Sequence, residues 1–435
     1  MMRTPLVWFT RTGVSTLLMA AALVVSGCEA GDTAAPVSIA PAQPAIPASS
    51  SVLSSILPAN AAPVFQAERG PYRVATVVNG LQDPWSMAFL PNGDMLVTER
   101  PGRLRIVRNG VLQSEPIAGT PRVRYEGQGG LLEVARHPQF ESNQLVYLTY
   151  SKPNEDGTQG TTAVGRGRLE GSQLVDFDEI FEAKAWSPGG NHYGSRLAFD
   201  RNGYLFITVG DRAVDPLSVP VERHPAQDLT DHQGSVIRLH DDGRVPSDNP
   251  FVGRAGALPE IWTSGHRNMQ GLAIHPETGD VWVTEHGPQG GDELNLVLPG
   301  RNYGWPVIGY GVQYGGITFH KGRELAGLEQ PLQYWTPSIA PSGLMIYTGD
   351  RFPEWRGHLF AGGLDGRLIS RIALQKGDNG YQVERLERPG LIPGFGRVRD
   401  VREGPDGLIY VAIDDRRGGA LTPIVRLEPV EDEQR

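Results

Sequence analysis

The segment SMAFLPNGDMLVTER at residues 86–100 contains the unit from which most of this chain is built. An apolar run, a turn with Pro, Asn and Gly, and a second apolar run closing on Thr form the signature of a β-hairpin. The pattern returns at residues 131–151, 196–212, 271–288, 343–369 and 401–415. Because one hairpin cannot bury both of its faces, this recurrence predicts a repeat architecture. Units made only of strands predict an all-β fold, a six-bladed β-propeller with its site at the mouth of the central channel.

The composition agrees with a turn-rich globular fold. Of 435 residues, 55 are Gly and 35 are Pro, and nothing after the N-terminal segment keeps a 3.6-residue apolar period. A propeller accommodates this length as one domain. The formal net charge is −9 and no basic stripe is present, so we expect no nucleic-acid partner.

The first 28 residues are typical of an export signal. Arg3 and Arg11 flank the start of an apolar stretch whose core, at residues 16–25, is too short to span a bilayer. It leads into Cys28, the single cysteine, in a pattern that resembles a lipobox. An ordinary signal peptide with an accidental cysteine is the alternative. We expect export to the periplasm and, because Glu29 follows the cysteine, a lipid anchor in the outer membrane as the only membrane contact.

Composition also divides the rest of the chain. Residues 29–68 are rich in Ala, Pro and Ser and offer too little apolar surface to offset the entropy of ordering, which predicts a flexible tether. The propeller domain is predicted at residues 69–428, with a charged tail at 429–435. A monomer and a homodimer both remain open.

A histidine directly precedes the third hairpin. His192 lies in the Gly-rich segment GGNHYGSR, and Asp211 follows the returning strand in TVGDR. If this hairpin runs outward from the channel and back, the two side chains meet, and a carboxylate fixes the tautomer of an imidazole and raises its basicity. A metal ligand or a backbone-bonded side chain is the alternative for His192. Asp211 could equally cap a turn or pair with Arg212.

Two groups of arginines favour an anionic ligand. Arg267 and Asn268 precede the fourth hairpin, and guanidinium and amide groups bind carboxylates and carbonyl oxygens. A structural ion pair is the alternative for Arg267. Arg397 and Arg399 are two apart on a predicted strand, so they share a face and repel each other unless an anion lies between them. A polycarboxylate suits this pair, although solvated strand edges also carry such pairs.

The segment EHGPQGG is a weak candidate for a cation site. Gly287 and Pro288 offer backbone carbonyls, which Ca²⁺ accepts as ligands, but the spacing of an EF-hand is absent. Gln128 in the segment EGQGGLL does not indicate a function by itself. The chain has no His or Cys spacing typical of a zinc site, no nucleophile elbow, no P-loop and no strand-to-helix GxGxxG motif. The sequence therefore lacks the motifs of nucleophilic hydrolases, phosphoryl-transfer enzymes and nicotinamide-dependent enzymes.

Nine segments, taken in order, resemble the soluble glucose/sorbosone dehydrogenase family and, within it, the PQQ-dependent aldose sugar dehydrogenases. They extend over residues 82–415 and read GQGGLL, NHYGSRLAF, TVGDR, GSVIRLHDDGRVPSDNPF, GHRNMQGLA, EHGPQGGDELN, RNYGWP, SIAPSG and GRVRDV. The resemblance implies a six-bladed propeller with PQQ and Ca²⁺ as cofactors. It implies oxidation of aldoses at the anomeric hydroxyl to lactones, with electrons passed to a separate acceptor.

The same resemblance assigns roles by motif. His192 looks like the base that takes the C1 hydroxyl proton as hydride passes to the quinone. Gln128 and Asp211 match positions that line the sugar and support that histidine. Arg267 and Asn268 match cofactor contacts near the reactive carbonyls, which counts Arg267 among the catalytic residues.

Other residues match family positions that bind the carboxylates of the cofactor and its metal ion. Arg397 and Arg399 match the pair that binds the carboxylates of PQQ. The metal positions are Gly287 and Pro288, whose backbone oxygens hold the catalytic Ca²⁺, and Glu293 and Tyr303, which form a second, structural calcium site in some members.

One position departs from the family pattern. In the glucose-dehydrogenase branch a lysine in the segment matching GGLDGRLISRI contacts the cofactor, and Asp365 stands there in this chain. An acid cannot pair with a quinone carboxylate, so that contact is lost or replaced, with Arg367 nearby as a candidate. The departure bears on PQQ affinity and on glucose specificity rather than on the fold.

Two other functions remain open from the sequence. Six-bladed propellers also include metal-dependent sugar lactonases, which hold a metal with side-chain carboxylates and Asn, whereas this chain offers paired arginines and backbone carbonyls. A non-catalytic propeller lipoprotein is the third possibility, and it would leave His192 without a role. Fold alone does not decide between them.

Overall fold

The computed structural model describes residues 62–68, 70–378, 380–414 and 420–430. The signal segment with Cys28, most of the tether and most of the charged tail lie outside these residues. Within these residues, 25 strands form six antiparallel sheets, which confirms the six-bladed β-propeller expected from the repeats. The described helices are α1 (Phe140–Asn143) and three short 3₁₀ turns, and none is long and apolar enough to cross a membrane.

The chain enters through two strands and then builds three blades in sequence order. The entry strands are β1 (Val64–Ala67) and β2 (Gly70–Gln82). Blade 1 contains β3 (Pro84–Phe89), β4 (Met95–Glu99), β5 (Arg103–Arg108) and β6 (Val111–Leu112). Blade 2 contains β7 (Leu131–Arg136), β8 (Leu145–Pro153), β9 (Gly160–Glu170) and β10 (Gln173–Glu182). Blade 3 contains β11 (Leu197–Phe199), β12 (Leu205–Val209), β13 (Ser235–Leu239) and β14 (Ile261–Thr263).

Three further blades complete the ring. Blade 4 contains β15 (Met269–Ile274), β16 (Val281–Glu285), β17 (Asp292–Val297) and β18 (Gln333–Trp335). Blade 5 contains β19 (Pro341–Ile346), β20 (Leu359–Gly363), β21 (Leu368–Gly377) and β22 (Gly380–Leu391). Blade 6 contains β23 (Arg397–Glu403), β24 (Ile409–Asp414) and β25 (Leu421–Pro429), followed by β2 and β1.

Blade 6 closes the ring with both ends of the propeller domain. β2 pairs antiparallel with β25, with Tyr72 opposite Pro429 and Leu81 opposite Thr422. β1 then pairs with β2, so residues 64–67, which the composition placed in the tether, are part of a blade. The folded domain therefore begins before residue 69. The composition missed this strand because it directly follows the Ala-, Pro- and Ser-rich run, whereas in the structure it pairs with β2 and Phe65 and Ala67 pack against the core.

Each hairpin found in the sequence is the first pair of strands in one blade. In blade 1, β3 and β4 pair with Met87 opposite Val97, and the turn lies between them at residues 90–94. The first strands of neighbouring blades contact one another around the channel. Apolar side chains fill the space between sheets, including the fully buried Trp85, Trp282 and Trp335. Full burial of a large apolar side chain contributes about 1.5–3 kcal/mol, so these layers hold the blades together.

A buried charge network crosses the channel. The Arg196 guanidinium contacts Glu133 at 2.9 Å and Asp400 at 3.0 Å, and it lies over the Trp85 ring at 4.0 Å. Arg402 contacts the same two carboxylates at 2.6 and 2.9 Å. These groups come from blades 1, 2, 3 and 6. Since breaking a buried pair leaves an unpaired charge and costs about 3–5 kcal/mol, the network fixes the blades around the axis.

Candidate active site

The repeat geometry gathers the candidate residues at one end of the channel. Residues that directly precede a first strand lie at the same end as residues that directly follow the second strand, because the two strands are antiparallel. His192 and Arg267 precede β11 and β15, whereas Asp211 and Gly287 follow β12 and β16. Arg397 opens β23 at that end. The topology therefore places most of the predicted site residues at the same end of the channel.

His192 and Asp211 form a buried pair. Nδ1 of His192 lies 2.6 Å from Oδ1 of Asp211, and the histidine is only 8% exposed. The backbone of His192 has φ 52°, a left-handed conformation that costs a non-glycine residue about 1–2 kcal/mol. A Cβ on Gly210 would meet the His192 carbonyl oxygen at 2.3 Å, so the glycine before Asp211 permits this approach. The pair expected from the hairpin is therefore present.

The protonation of the pair follows from its surroundings. Burial and the charge of Arg267 lower the pKa of His192, although Asp211 acts in the opposite direction. Burial alone would raise the pKa of the Asp211 carboxyl, but His192 and Arg267 hold it below its usual value. An ionised Asp211 accepts the Nδ1 proton of a neutral imidazole. That tautomer leaves the lone pair on His192 Nε2 free to accept a proton.

Asp211 is held by further donors. The indole Nε1–H of Trp305 donates to Oδ2 of Asp211 at 2.7 Å, and the backbone N–H of Ala213 donates to Oδ1 at 2.9 Å. Buried His224 lies nearby, with Nε2 4.0 Å from Oδ2. The carboxylate therefore cannot rotate away from His192 without losing these bonds. Trp305 was not among the site residues predicted from the sequence, although its segment RNYGWP is one of the nine that resemble the family.

Gln128 connects the histidine loop to the neighbouring blades. Its Oε1 accepts the backbone N–H of His192 at 3.0 Å and lies 3.5 Å from Nδ2 of Asn268. Oδ1 of Asn268 in turn accepts the N–H of Gly194 at 3.1 Å. The Arg100 guanidinium donates to the Gly127 carbonyl at 2.6 Å and thereby anchors the loop that carries Gln128. The structure brings Gln128 and Asn268 to His192.

Arg267 is the cation of this group. Its Nη1 donates to the carbonyl of Gly287 at 2.8 Å, and its guanidinium lies 5.2 Å from the centre of the Trp305 ring. Among the described residues, no carboxylate lies within ion-pair distance of its side chain, so the structural ion pair considered from the sequence is not formed. Its backbone N–H donates to Glu285 at 2.6 Å. This positive charge is available to an anionic or carbonyl ligand.

The four predicted metal residues share a small cavity with Arg267. The cavity measures about 10 Å³, which is about the space of one water molecule. Its lining includes Gly287, Pro288, Glu293 and Tyr303. The described residues contain no group of three or more His, Cys, Asp and Glu side chains arranged around a metal position. Any cation here would combine backbone oxygens with the carboxyl groups of Glu285 and Glu293, which also line the cavity.

The acids beside this cavity repel each other. Burial and the neighbouring charge of Glu285 raise the pKa of Glu293 well above its usual value. Nδ2 of Asn295 donates to both, at 3.0 Å to Glu285 and at 3.1 Å to Glu293. His266 lies 2.8 Å from Glu285 and stacks on Tyr303 at 4.4 Å between ring centres. A bound cation would relieve the repulsion between the two carboxyl groups.

A partly buried histidine precedes the predicted metal loop. Burial and the charge of Arg267 lower the pKa of His286 to about 3, so this imidazole is neutral. Its Nε2–H donates to the carbonyl of Pro341 at 2.7 Å. His286 was not among the residues predicted from the sequence, because a single histidine beside a Gly/Pro loop matches no spacing that indicates a function. Its contact ties the loop after β16 to the start of blade 5.

Arg397 and Arg399 have an acid between them. Oδ2 of Asp414 lies 2.8 Å from Nη2 of Arg399 and 3.9 Å from Nε of Arg397. Nη1 of Arg399 also donates to Oε1 of Gln270 at 2.9 Å. Nη1 of Arg397 contacts Asp365 at 3.0 Å. Both arginines reach Asp414 although a β-bulge interrupts the strand between Val398 and Asp400, and the chain itself supplies part of the expected negative charge.

Comparisons with known proteins agree with this fold. The chain matches the family model described as Glucose / Sorbosone dehydrogenase over residues 81–423. It is 42% identical over 353 residues to the aldose sugar dehydrogenase YliI of Escherichia coli, which covers 80% of this chain and 91% of that protein. The crystal structure of the soluble aldose sugar dehydrogenase (Asd) from Escherichia coli superposes with a TM-score of 0.74 at 39% identity and covers 82% of this chain and 100% of that one. The PQQ-bound aldose sugar dehydrogenase (Adh) from Streptomyces coelicolor superposes with a TM-score of 0.65 at 27% identity and covers 83% and 99%.

The fold and these matches define a six-bladed propeller oxidoreductase of the sugar dehydrogenase class. The chain belongs to the glucose/sorbosone dehydrogenase family.

Proposed function

We propose that this protein oxidises aldose sugars at the anomeric carbon to lactones, with PQQ and Ca²⁺ as cofactors. The observation that carries the proposal is the buried His192–Asp211 pair, whose tautomer leaves Nε2 free to accept a proton. The cofactor is inferred from the family and from the PQQ-bound relative of Streptomyces coelicolor.

The charges at this end of the channel fit a polycarboxylate. The Nε atoms of Arg267, Arg397 and Arg399 are buried and make no hydrogen bond among the described residues. Arg267 has no carboxylate partner among the described residues, and Arg397 and Arg399 both reach Asp414. PQQ carries three carboxylates, which arginines bind well. Bound PQQ would supply a carbonyl carbon that accepts hydride from the sugar.

The residues of the chain then perform the proton chemistry. His192 Nε2 takes the proton of the C1 hydroxyl, which makes C1 a better hydride donor, and a positioned base of this kind contributes about 10²–10⁴-fold. Asp211 stabilises the imidazolium that forms, and Trp305 keeps the carboxylate in place. Gln128 and Asn268 fix the histidine loop and offer polar groups beside the sugar.

Calcium is proposed at the carbonyls of Gly287 and Pro288. A backbone oxygen has two lone pairs, so Gly287 can bind a cation while it accepts from Arg267. Ca²⁺ at this position would polarise the hydride-accepting carbonyl. A second ion is proposed at Glu293 and Tyr303, which line the same cavity. Burial and the neighbouring charge of Glu285 raise the pKa of Glu293, and a bound cation would favour its ionised form.

The cellular setting is proposed from the sequence alone. The signal at residues 1–28 with Cys28 supports export to the periplasm and a lipid anchor in the outer membrane. Electrons would pass to a separate acceptor, as the resemblance to the family implies.

Product analysis tests this function against the lactonase alternative. The full chain is incubated with PQQ, Ca²⁺, an electron-accepting dye and ¹³C1-labelled aldose, and NMR follows C1. Oxidation of the anomeric carbon in step with dye reduction supports the proposal. Hydrolysis of an added lactone without dye reduction, or no change in the sugar, would overturn it. The variant with Arg397→Ala and Arg399→Ala should lose PQQ binding by titration, and unchanged binding would remove that assignment.

A further inference from the structure

A second cavity lies at the same end of the propeller as His192, at the junction of blades 1 and 2. It has a volume of about 510 Å³ and opens to solvent. Because β8 is the second strand of blade 2, its last residues, with Tyr150 and Lys152 among them, lie at this end. Arg122, in the connection between the two blades, also lines the cavity. We call this cavity the blade 2 groove, and its lining also includes Glu155, Glu179, Glu182 and Trp186.

The segment between Trp186 and His192 joins the groove to the proposed base and is fixed along its length. Each backbone carbonyl from residue 187 to residue 191 accepts a hydrogen bond from another part of the chain. The donors are Arg124 for Ser187 and Pro188, Arg212 for Gly189 and Asn191, and the backbone N–H of Gln128 for Gly190. Since six residues extend over at most about 22 Å, Trp186 lies within that distance of His192.

The charged groups of the groove largely balance one another. Nζ of Lys152 lies 2.6 Å from Glu179 and 2.5 Å from Glu182, and the hydroxyl of Tyr150 also donates to Glu179. These bonds hold both carboxylates in place, yet each carboxylate keeps lone pairs that can accept hydroxyl groups. With Glu155 and Arg122, the lining contains three acids and two cations, so a strongly charged ligand is not favoured.

Two donors in the groove have no partner among the described residues. They are the indole N–H of Trp186 and the guanidinium of Arg122. Trp186 is partly exposed, so its ring offers an apolar face beside these polar groups. Aromatic side chains combined with a few placed polar groups are typical of ligand sites. A neutral ligand with many hydroxyl groups and apolar C–H faces fits this combination, and that is the chemistry of a saccharide.

We propose that the blade 2 groove is a second saccharide-binding site, which holds the far units of an oligosaccharide while its reducing unit lies at His192. This inference rests on the proposed function for the reducing unit, and it extends the substrate class from single aldoses to longer saccharides. Contacts with the far units supply binding energy that raises kcat/KM for an oligosaccharide, whereas a single sugar unit at His192 gains nothing from them.

The first test measures binding in the full chain without PQQ, so that it does not depend on oxidation. Maltotriitol and cellotriitol, which have no anomeric hydroxyl to oxidise, are titrated by NMR into wild type, Trp186→Ala and Tyr204→Ala. Tyr204 is the aromatic control, because it directly precedes β12 at the opposite end of blade 3. We expect Trp186→Ala to weaken the binding of at least one alditol by about 10-fold, whereas the control should match wild type. Arg122→Ala serves as a second variant, and circular dichroism verifies folding of all of them.

The second test compares kcat/KM for glucose, maltotriose and cellotriose after addition of PQQ and Ca²⁺. Trp186→Ala should lose about 10-fold for a trisaccharide and keep the wild-type value for glucose. An equal loss for glucose and the trisaccharides would overturn the groove, because it would place the effect of Trp186 at the reducing unit.

The outcomes separate this inference from the proposed function. If wild type oxidises sugars but binds neither alditol, or binds them no better than Trp186→Ala and Arg122→Ala do, the groove is overturned and the quinoprotein function stands. If Trp186→Ala loses alditol binding but wild type oxidises no sugar, the saccharide site stands and the proposed function fails. Neither alditol binding nor sugar oxidation by wild type would overturn both.

Discussion

The indole N–H of Trp305 donates to Oδ2 of Asp211 over 2.7 Å. This bond leaves the other oxygen of Asp211 to His192, at 2.6 Å, and so aligns the histidine that we propose as the base. Blade 3 provides the histidine and the acid, and the loop after β17 in blade 4 provides the indole. The proposed base is therefore positioned across a blade boundary.

Replacement of Trp305 by Phe keeps an aromatic ring beside Arg267 but removes the donor to Asp211. We expect kcat to fall about 10–150-fold, since a hydrogen bond to a charged group contributes about 1.5–3 kcal/mol. Trp282→Phe is the matched control, because its indole nitrogen is buried and makes no hydrogen bond among the described residues. Steady-state kinetics of the two variants, with PQQ loading measured in parallel, tests the positioning role. Equal rates for Trp305→Phe and wild type would contradict it.

Replacement of His192 by Asn removes the proposed base while keeping a small polar side chain. We expect kcat to fall about 10²–10⁴-fold with PQQ affinity changed by less than about 3-fold. His275→Asn, at the turn between β15 and β16, is the control and should retain wild-type rates. Near-normal turnover by His192→Asn would show that another group takes the proton.

The pH dependence of kcat/KM reports the protonation of His192. The base must be neutral to act, and burial together with Arg267 lowers its pKa below the usual 6.5. Activity should therefore remain constant as pH falls to 6.5 and decline only at lower pH. Asp211 raises the pKa of His192, so Asp211→Asn should move the decline to still lower pH and also reduce the rate. A decline centred above pH 7 in wild type would contradict this assignment.

Calcium should stabilise the protein through the carboxyl group of Glu293. A ligand that binds only the native state adds about 2.7 kcal/mol at 100 times its Kd, which raises the Tm measurably. We expect Ca²⁺ to raise the Tm of wild type, a chelator to reverse this, and Glu293→Gln to lose most of the response. Glu141→Gln, in α1 on the surface of blade 2, should respond like wild type. An unchanged response in Glu293→Gln would remove Glu293 from the metal site.

The fold could be predicted because each hairpin pattern lies within a short stretch of sequence. Residues 86–100 carry the alternation and turn of one hairpin, and that hairpin is β3 and β4. The meeting of His192 with Asp211 was accessible for the same reason, since a single hairpin separates them. The strand at residues 64–67 was missed, because it adjoins the Ala-, Pro- and Ser-rich run and composition does not show its pairing with β2.

Contacts between blades could not be predicted from local sequence patterns. Trp305 is 94 residues from Asp211, and Asp365 is 32 residues from Arg397. The sequence analysis treated Asp365 only as the loss of a cofactor contact, whereas the structure gives it an arginine partner. Such pairs depend on the curvature of the ring and on loop conformations, which periodicity does not encode. The arginines of β23 were recognised, but the acid between them, Asp414, was not.

The most direct measurement is reconstitution of the purified full chain with PQQ and Ca²⁺, followed by dye reduction with a panel of aldoses. Each addition is omitted in turn, and His192→Asn serves as the inactive control. We predict sugar-dependent reduction that requires both PQQ and Ca²⁺ and is lost in the variant. No sugar-dependent reduction by a protein shown to retain PQQ, or reduction that His192→Asn sustains at the wild-type rate, would contradict the proposed catalytic function.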